Sequence, residues 1–239
     1  MSYKYGPSIV TDGLVFYVDA ANSKSYPGSG TTWTDMIGGN NGSLTNMDAT
    51  NHSSTNGGIF TFDGLDEYVD YGAAIEVGTN DFTISSWIKL SSLLSTFGSI
   101  TSKSYAGTGN RYFLGLNSDE KITTIIADTS SGIVSTGTTG LSSNVWYMIT
   151  AVFDRSGNVS MYINDTSDTV ASNADISSKN GSNITDSSIP LRIGSYAQND
   201  KTSPTFLFPG DIATSMIYFK ALSAAEVTQN YNALKNRFV

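Results

Sequence analysis

The side chains able to do chemistry in this sequence are few and mostly acidic. His52 is the one histidine and cysteine is absent, which excludes cysteine-based zinc, haem and redox sites and obliges any Ser-His-Asp triad to use His52. His52 stands in the turn-rich stretch NHSSTNGG, where it reads as a solvated loop residue and not as a general base. Carboxylates crowd in FDGLDEYVD, as Asp63, Asp66, Glu67 and Asp70, and a pair of carboxylates is the equipment of glycoside hydrolysis. Asp63 precedes Gly64, however, the arrangement of a turn in which the aspartate side chain bonds backbone two residues on. On these residues the expectation is a chain without catalysis.

Two further sets suit binding. Asp19, Asn22 and Asp35 flank the first long loop and offer the hard oxygen ligands of a single calcium ion, the candidate cofactor. They read equally as turn and cap residues with no ion, since no spacing as diagnostic as an EF-hand is present. Tyr105, Asn110 and Arg111 in one loop, with Tyr196, Asn199 and Asp200 in another, supply an aromatic face with amides and charges beside it, which is what a polyol ligand needs. Packing or subunit contact is the competing reading for both tyrosines.

Short strands must position these loops. Alternating apolar runs stopped by Gly, Asn or Asp predict strands over 14–19, 59–62, 67–70, 82–90, 98–102, 112–116, 121–127, 132–135, 146–154, 159–163, 190–194 and 211–219. Strand following strand without helices predicts an all-β fold of antiparallel sheets. In the run over 82–90, Phe82, Ile84, Ser86, Ile88 and Leu90 share one face, and Trp87 on the other marks an inner strand covered on both sides. The turn over 154–158 predicts a hairpin with Val152, Met161 and Ile163 inward. Residues 170–188, rich in Ser, Asn and Asp, predict a long loop or an edge excursion. Ser223 and Glu226 form a capping box ahead of Val227, Tyr231 and Leu234, so one short C-terminal helix is expected against the sandwich. We expect one domain over 13–239 and an N-terminal attachment arm over 1–12.

A formal net charge of −8, with 14% of residues charged, leaves no basic footprint for a phosphate backbone. No nucleic-acid partner is expected. The opening MSYKYGPSIVTDG has neither an apolar core nor a small-residue cleavage site, and no apolar run approaches the roughly 20 residues of a membrane span. Neither a signal peptide nor membrane insertion is expected.

The words GLVFYVDAANSKSYPGSGTTWTDMIGGNNGSLTN, FTFDGLDEYVDYG and FTISSWIKL, in this order, resemble the laminin-G-like, concanavalin-A-like jelly rolls. NVWYMITAVFDRSGNVSMYIND and FPGDIATSMIYFKALSAAEVTQNY are similar to the paired inner strands, closing strand and terminal helix of the pentraxin-like members. The resemblance implies a jelly-roll β-sandwich. Where pentraxins hold calcium, this chain has IGSYAQ without an acidic cluster, so their double calcium site is not implied. The stretch with Trp33 and Asp35, and GGNNGSLTN after it, resembles virion proteins of marine bacteriophages. That likeness implies a noncatalytic virion surface protein (a capsid decoration, fibre or other appendage), assembled in the host cytoplasm and docked on other virion proteins or on copies of itself. The alternative is a lectin-like module, with cell-surface glycans as partners and calcium as a possible aid.

Overall fold

The computed structural model describes residues 7–239. Two antiparallel sheets face one another. The first runs, in spatial order, Thr166–Asp168, Val159–Ile163, Trp146–Phe153, Phe82–Leu90, Pro209–Tyr218, Ile59–Asp63 and His52–Ser53, with Leu14–Asp19 also paired to Pro209–Tyr218. The second runs Val170–Ser172, Gly132–Gly140, Lys121–Ala127, Arg111–Leu116, Gly98–Lys103, Leu191–Ile193, Tyr68–Asp70, Asn41–Thr45 and Thr32–Thr34. The expected all-β jelly-roll sandwich is therefore present, and residues 170–188 begin as an edge strand.

Period-two alternation decides what enters the core. Phe82, Ile84, Ile88 and Leu90 project between the sheets to meet Tyr112, Leu114, Leu116, Ile122 and Ile126 from the other side. Ser86 sits among them, where its hydroxyl joins those of Thr101, on the facing sheet, and Ser215 at 3.3 and 3.1 Å. These hydroxyls satisfy one another, so polar atoms are tolerated in the apolar layer.

Trp87 points the other way, as its sequence position predicts, into a second apolar layer with Trp146, Met148, Met216, Tyr218 and Val227. The C-terminal helix, Ala224–Leu234, covers this layer, and its capping box joins Ser223 to Glu226 in both directions. Its buried residues are Val227 and Asn230, while Tyr231 and Leu234 are half-buried. Asn230 accepts from the backbone N–H of Val10 at 2.8 Å and donates to the Tyr218 hydroxyl at 3.1 Å.

Two expectations change here. Val152 belongs to the helix-covered layer and not to the core between the sheets, because the pairing sets Ala151 opposite Met161 and Val152 opposite Ser160. Of the expected N-terminal arm, residues 1–6 lie outside the described residues. In the remainder Val10 is buried and hydrogen-bonded to the helix, so that part packs on the domain.

Candidate functional site

The outer face of the second sheet is built by the same alternation that fills the core. Arg111–Leu116 turns Tyr112, Leu114 and Leu116 inward, which leaves Phe113 on the other face. The register sets Ile125 beside Phe113 on one side and beside Val134 on the other, making an apolar row across three strands. After Leu191–Ile193 the chain leaves the sheet at Gly194, whose φ of +86° suits glycine and whose absent Cβ would stand 2.7 Å from the Phe62 ring. It then crosses that outer face. The hydroxyls of Ser99 and Ser102 donate to the Ser195 carbonyl at 2.9 and 2.7 Å, and Tyr196–Ala197 pairs with Pro204–Thr205 as a small hairpin.

This crossing brings aromatic rings over the row. Tyr196 and Phe206 lie edge to face at 5.4 Å between centroids, Phe206 and Phe97 at 5.5 Å, and Tyr196 and Phe113 at 5.5 Å. Between them lies a pocket of about 190 Å³ lined by Phe97, Phe113, Ile125, Val134, Tyr196 and Phe206. Phe206 also borders a polar well of about 490 Å³ with Ala106, Gln198, Asn199, Asp200 and Thr205. It borders too a cleft of about 570 Å³ toward Leu65, Leu93 and Leu207. One side chain thus divides three adjoining hollows.

Phe206 holds that place under backbone strain. Its φ is +48°, a region bulky L-residues avoid, and its carbonyl is fixed by the Ser99 N–H at 2.8 Å. Lys201, at the hairpin tip, has a φ of +61°. The expected result is that Phe206→Gly unfolds at higher denaturant than Phe206→Ala, by about 1 kcal/mol, because both lose the ring and only glycine relieves the strain. Equal stability of the two variants would show that the left-handed conformation is absent in solution.

Of the ligand-binding residues expected from sequence, four meet at this hairpin. The Tyr196 hydroxyl donates to the Tyr105 carbonyl at 3.0 Å, Tyr105 bridges to Ala197, and the Lys201 ammonium lies 4.8 Å over the Tyr105 ring. Tyr196 is buried, so its ring serves as a wall and not as an exposed platform. Asn199 and Asp200 are exposed and line the polar well. The Ser203 hydroxyl, then the backbone N–H groups of Thr202 and Ser203, hold the Asp200 carboxyl down at about 2. Asn110 and Arg111 go elsewhere: Asn110 donates to the Thr185 carbonyl at 2.8 Å, and Arg111 to the Gly109 carbonyl at 3.2 Å. Sequence reasoning did not name Phe97, Phe113, Gln198 or Phe206. The alternation of Arg111–Leu116 would have found Phe113, whereas no local pattern marks Phe206.

The acidic residues are spent on donors. Asp35 accepts from the backbone N–H groups of Tyr17, Ile37 and Gly38 and from the Asn40 amide, at 2.7–3.0 Å. Asp19 takes the Arg237 guanidinium at 2.9 and 3.0 Å with the Ala21 N–H and the Tyr17 hydroxyl, and the Asn22 side-chain amide oxygen Oδ1 accepts from the Lys24 N–H. Oxygens that face hydrogens do not fit calcium, and no group of three or more acidic or histidine side chains among the described residues could hold a metal ion. The expected calcium ligands are turn, cap and ion-pair residues instead. Asp63 accepts from the Leu65 N–H at 2.7 Å, as its turn predicts, Glu67 from Asn51 at 2.8 Å, and Asp70 pairs with Arg192 at 2.9 Å. His52 is half-buried against Tyr26 and Phe60, with ring centroids at 4.7 and 5.3 Å, and its Nε2 meets the Ala20 carbonyl. It is not the solvated loop residue expected, because the strand His52–Ser53 pairs with Ile59–Asp63 and brings the ring onto Phe60.

A family model described as Concanavalin A-like lectin/glucanases superfamily matches residues 62–228. No curated protein sequence matches the chain. Among solved structures it is similar to Trypanosoma rangeli sialidase in complex with a difluoro sugar acid, at 14% identity and a TM-score of 0.64, covering 97% of this chain and 34% of that one. Domain 4 of AbnA, a GH43 extracellular arabinanase from Geobacillus stearothermophilus, in complex with arabinotriose, gives 16% identity and a TM-score of 0.62, covering 91% and 98%. The binding domain of Paraclostridial Mosquitocidal Protein 1 gives 19% and 0.64, covering 92% and 52%. The chain thus spans about a third of the sialidase. At these identities the likeness shows the fold. The expectation of a chain without catalysis is corrected to this extent: its fold is one that parts of two enzymes, a sialidase and an arabinanase, also have. None of these comparisons shows a bacteriophage type, and the carbohydrate reading moves ahead of the virion one.

Proposed function

Because this chain belongs to the concanavalin A-like lectin/glucanases superfamily, we propose that it is a carbohydrate-recognition module whose site is the polar well beside Phe206. The observation that carries this reading is the joining of exposed Gln198, Asn199 and Asp200 to an aromatic wall held in a strained conformation. Sugars present hydroxyls along their edges and apolar C–H faces. Amides and a carboxylate meet the edges, and a ring such as Phe206 meets a face. Asp200 suits the role of acceptor because its depressed pKa keeps it ionised. The arabinotriose complex of the arabinanase domain supports a sugar ligand for this fold and puts arabino-oligosaccharides among the probes.

A glycan array, with arabino-oligosaccharides included, tests the proposal. Binding of at least one glycan is expected, weakened about tenfold or more by Asn199→Ala and by Asp200→Ala, a loss equal to the roughly 1.4 kcal/mol of one or two hydrogen bonds, one of them to a charged group. The pH profile follows from the carboxylate. A depressed pKa stabilises the hairpin above the unfolded value near 4 and loses that contribution as pH falls through about 2. Binding through this carboxylate is therefore flat from pH 7 to about 3 and declines as pH falls through about 2. An array silent throughout, or one indifferent to both variants, refutes the site.

A further inference from the structure

The apolar pocket next to the polar well has no part in holding sugar hydroxyls. Its lining comprises Phe97, Phe113, Ile125, Val134, Tyr196 and Phe206, and the one hydroxyl among them, that of Tyr196, is already donated to the Tyr105 carbonyl. A bare pyranose buried there would leave hydroxyls unpaired, each at a desolvation penalty. The pocket is nonetheless open, with Val134 41% and Phe97 36% exposed. Its volume of about 190 Å³ compares with the cavity of about 150 Å³ that stays dry and takes up benzene when lined by aliphatic and aromatic side chains. Phe206 borders both hollows, so they lie side by side around one ring.

We infer that the pocket formed by Phe97, Phe113, Ile125, Val134, Tyr196 and Phe206 receives an apolar substituent of the glycan, of the size of one aromatic ring, while the sugar occupies the polar well. This assignment rests on the carbohydrate reading of that well. It makes the protein selective for glycans bearing an aryl or compact acyl group over the same glycans without one. Edge-to-face partners for such a ring stand ready in Phe97, Phe206 and Tyr196.

Titration calorimetry with paired methyl and 4-nitrophenyl glycosides of arabinofuranose, xylose, glucose, galactose and N-acetylglucosamine tests the inference, with free 4-nitrophenol as a further probe. For at least one sugar, the 4-nitrophenyl glycoside is expected to bind tenfold or more tightly than its methyl partner. Val134→Asp, at the exposed lip of the pocket, is expected to abolish that difference and leave methyl glycoside binding unchanged. Equal affinities within every pair overturn the inference and leave the carbohydrate reading standing if the methyl glycosides bind. A preference that survives Val134→Asp also overturns it, by placing the aryl group elsewhere. If 4-nitrophenol alone binds as tightly as the glycosides, and Asn199→Ala changes nothing, the carbohydrate reading falls and the ligand spanning both hollows falls with it.

Discussion

Arg155→Ala lowers the unfolding free energy by about 3–5 kcal/mol, because this one side chain supplies the donors for four backbone carbonyls on two separate loops. Arg155 follows the strand Trp146–Phe153 and is 1% exposed. Its Nε donates to the Lys179 carbonyl at 3.0 Å, Nη1 to those of Gly78 and Asn80 at 2.9 and 3.1 Å, and Nη2 to those of Lys179 and Ser182. Its own backbone N–H goes to Asp81 at 2.8 Å. All five donors of the guanidinium are used, which no other side chain can match. Arg155→Lys should recover less than half of the loss, since an ammonium reaches fewer of these carbonyls from one point. Urea unfolding measures both variants. A cost under about 1 kcal/mol for the alanine would mean that the loops at 78–81 and 179–182 hold themselves.

Trp87→Ala costs about 3–5 kcal/mol and exceeds Leu234→Ala, for which half-burial leaves about 1–2 kcal/mol. Trp87 stacks under Phe238 at 4.3 Å between centroids and 20° between planes, and under Tyr231 at 5.7 Å and 15°. The last residues reach it because the chain continues past the helix as the short turn Lys235–Arg237, and the Arg237 pair with Asp19 anchors that turn. Removing the indole empties the centre of the layer between the first sheet and the helix, whereas Leu234 lies at its margin. Trp87→Phe preserves a stacking ring and should lose less than half as much. Matching costs for Trp87→Ala and Leu234→Ala in urea unfolding would show that the C-terminal residues are not seated on Trp87.

Much of this architecture is legible before folding. Alternation in Phe82–Leu90 marks an inner strand, and Trp87 on its second face announces a second apolar layer. The Ser223 and Glu226 pair announces the helix that forms that layer's cover, and the Asp63-Gly64 step announces its turn. These features are local: a two-residue period, a cap three residues long and an Asx turn each need only neighbours along the chain.

Of the proposed site, only the hairpin is legible in sequence. Tyr196, Asn199 and Asp200 were named from residue type, yet Tyr196 is a buried wall, a fact settled by its packing on Phe113 across the sheet. Asn110 and Arg111 carry the right chemistry and are used to brace their own loops. Residue type, order and period determined by themselves that this chain is an all-β sandwich with a capped terminal helix. Tertiary structure alone decided which carboxylates are drawn into long-range pairs. Asp19 meets Arg237 across 218 positions of sequence, because hydrogen-bond donors are assigned by proximity in space, which sequence separation does not encode, whereas Asp200 stays exposed on the local donors of Thr202 and Ser203. Val152 shows the same limit in the core: where both faces of a strand are buried, alternation names two apolar faces, and only the register with Met161 and Ser160 says which is which.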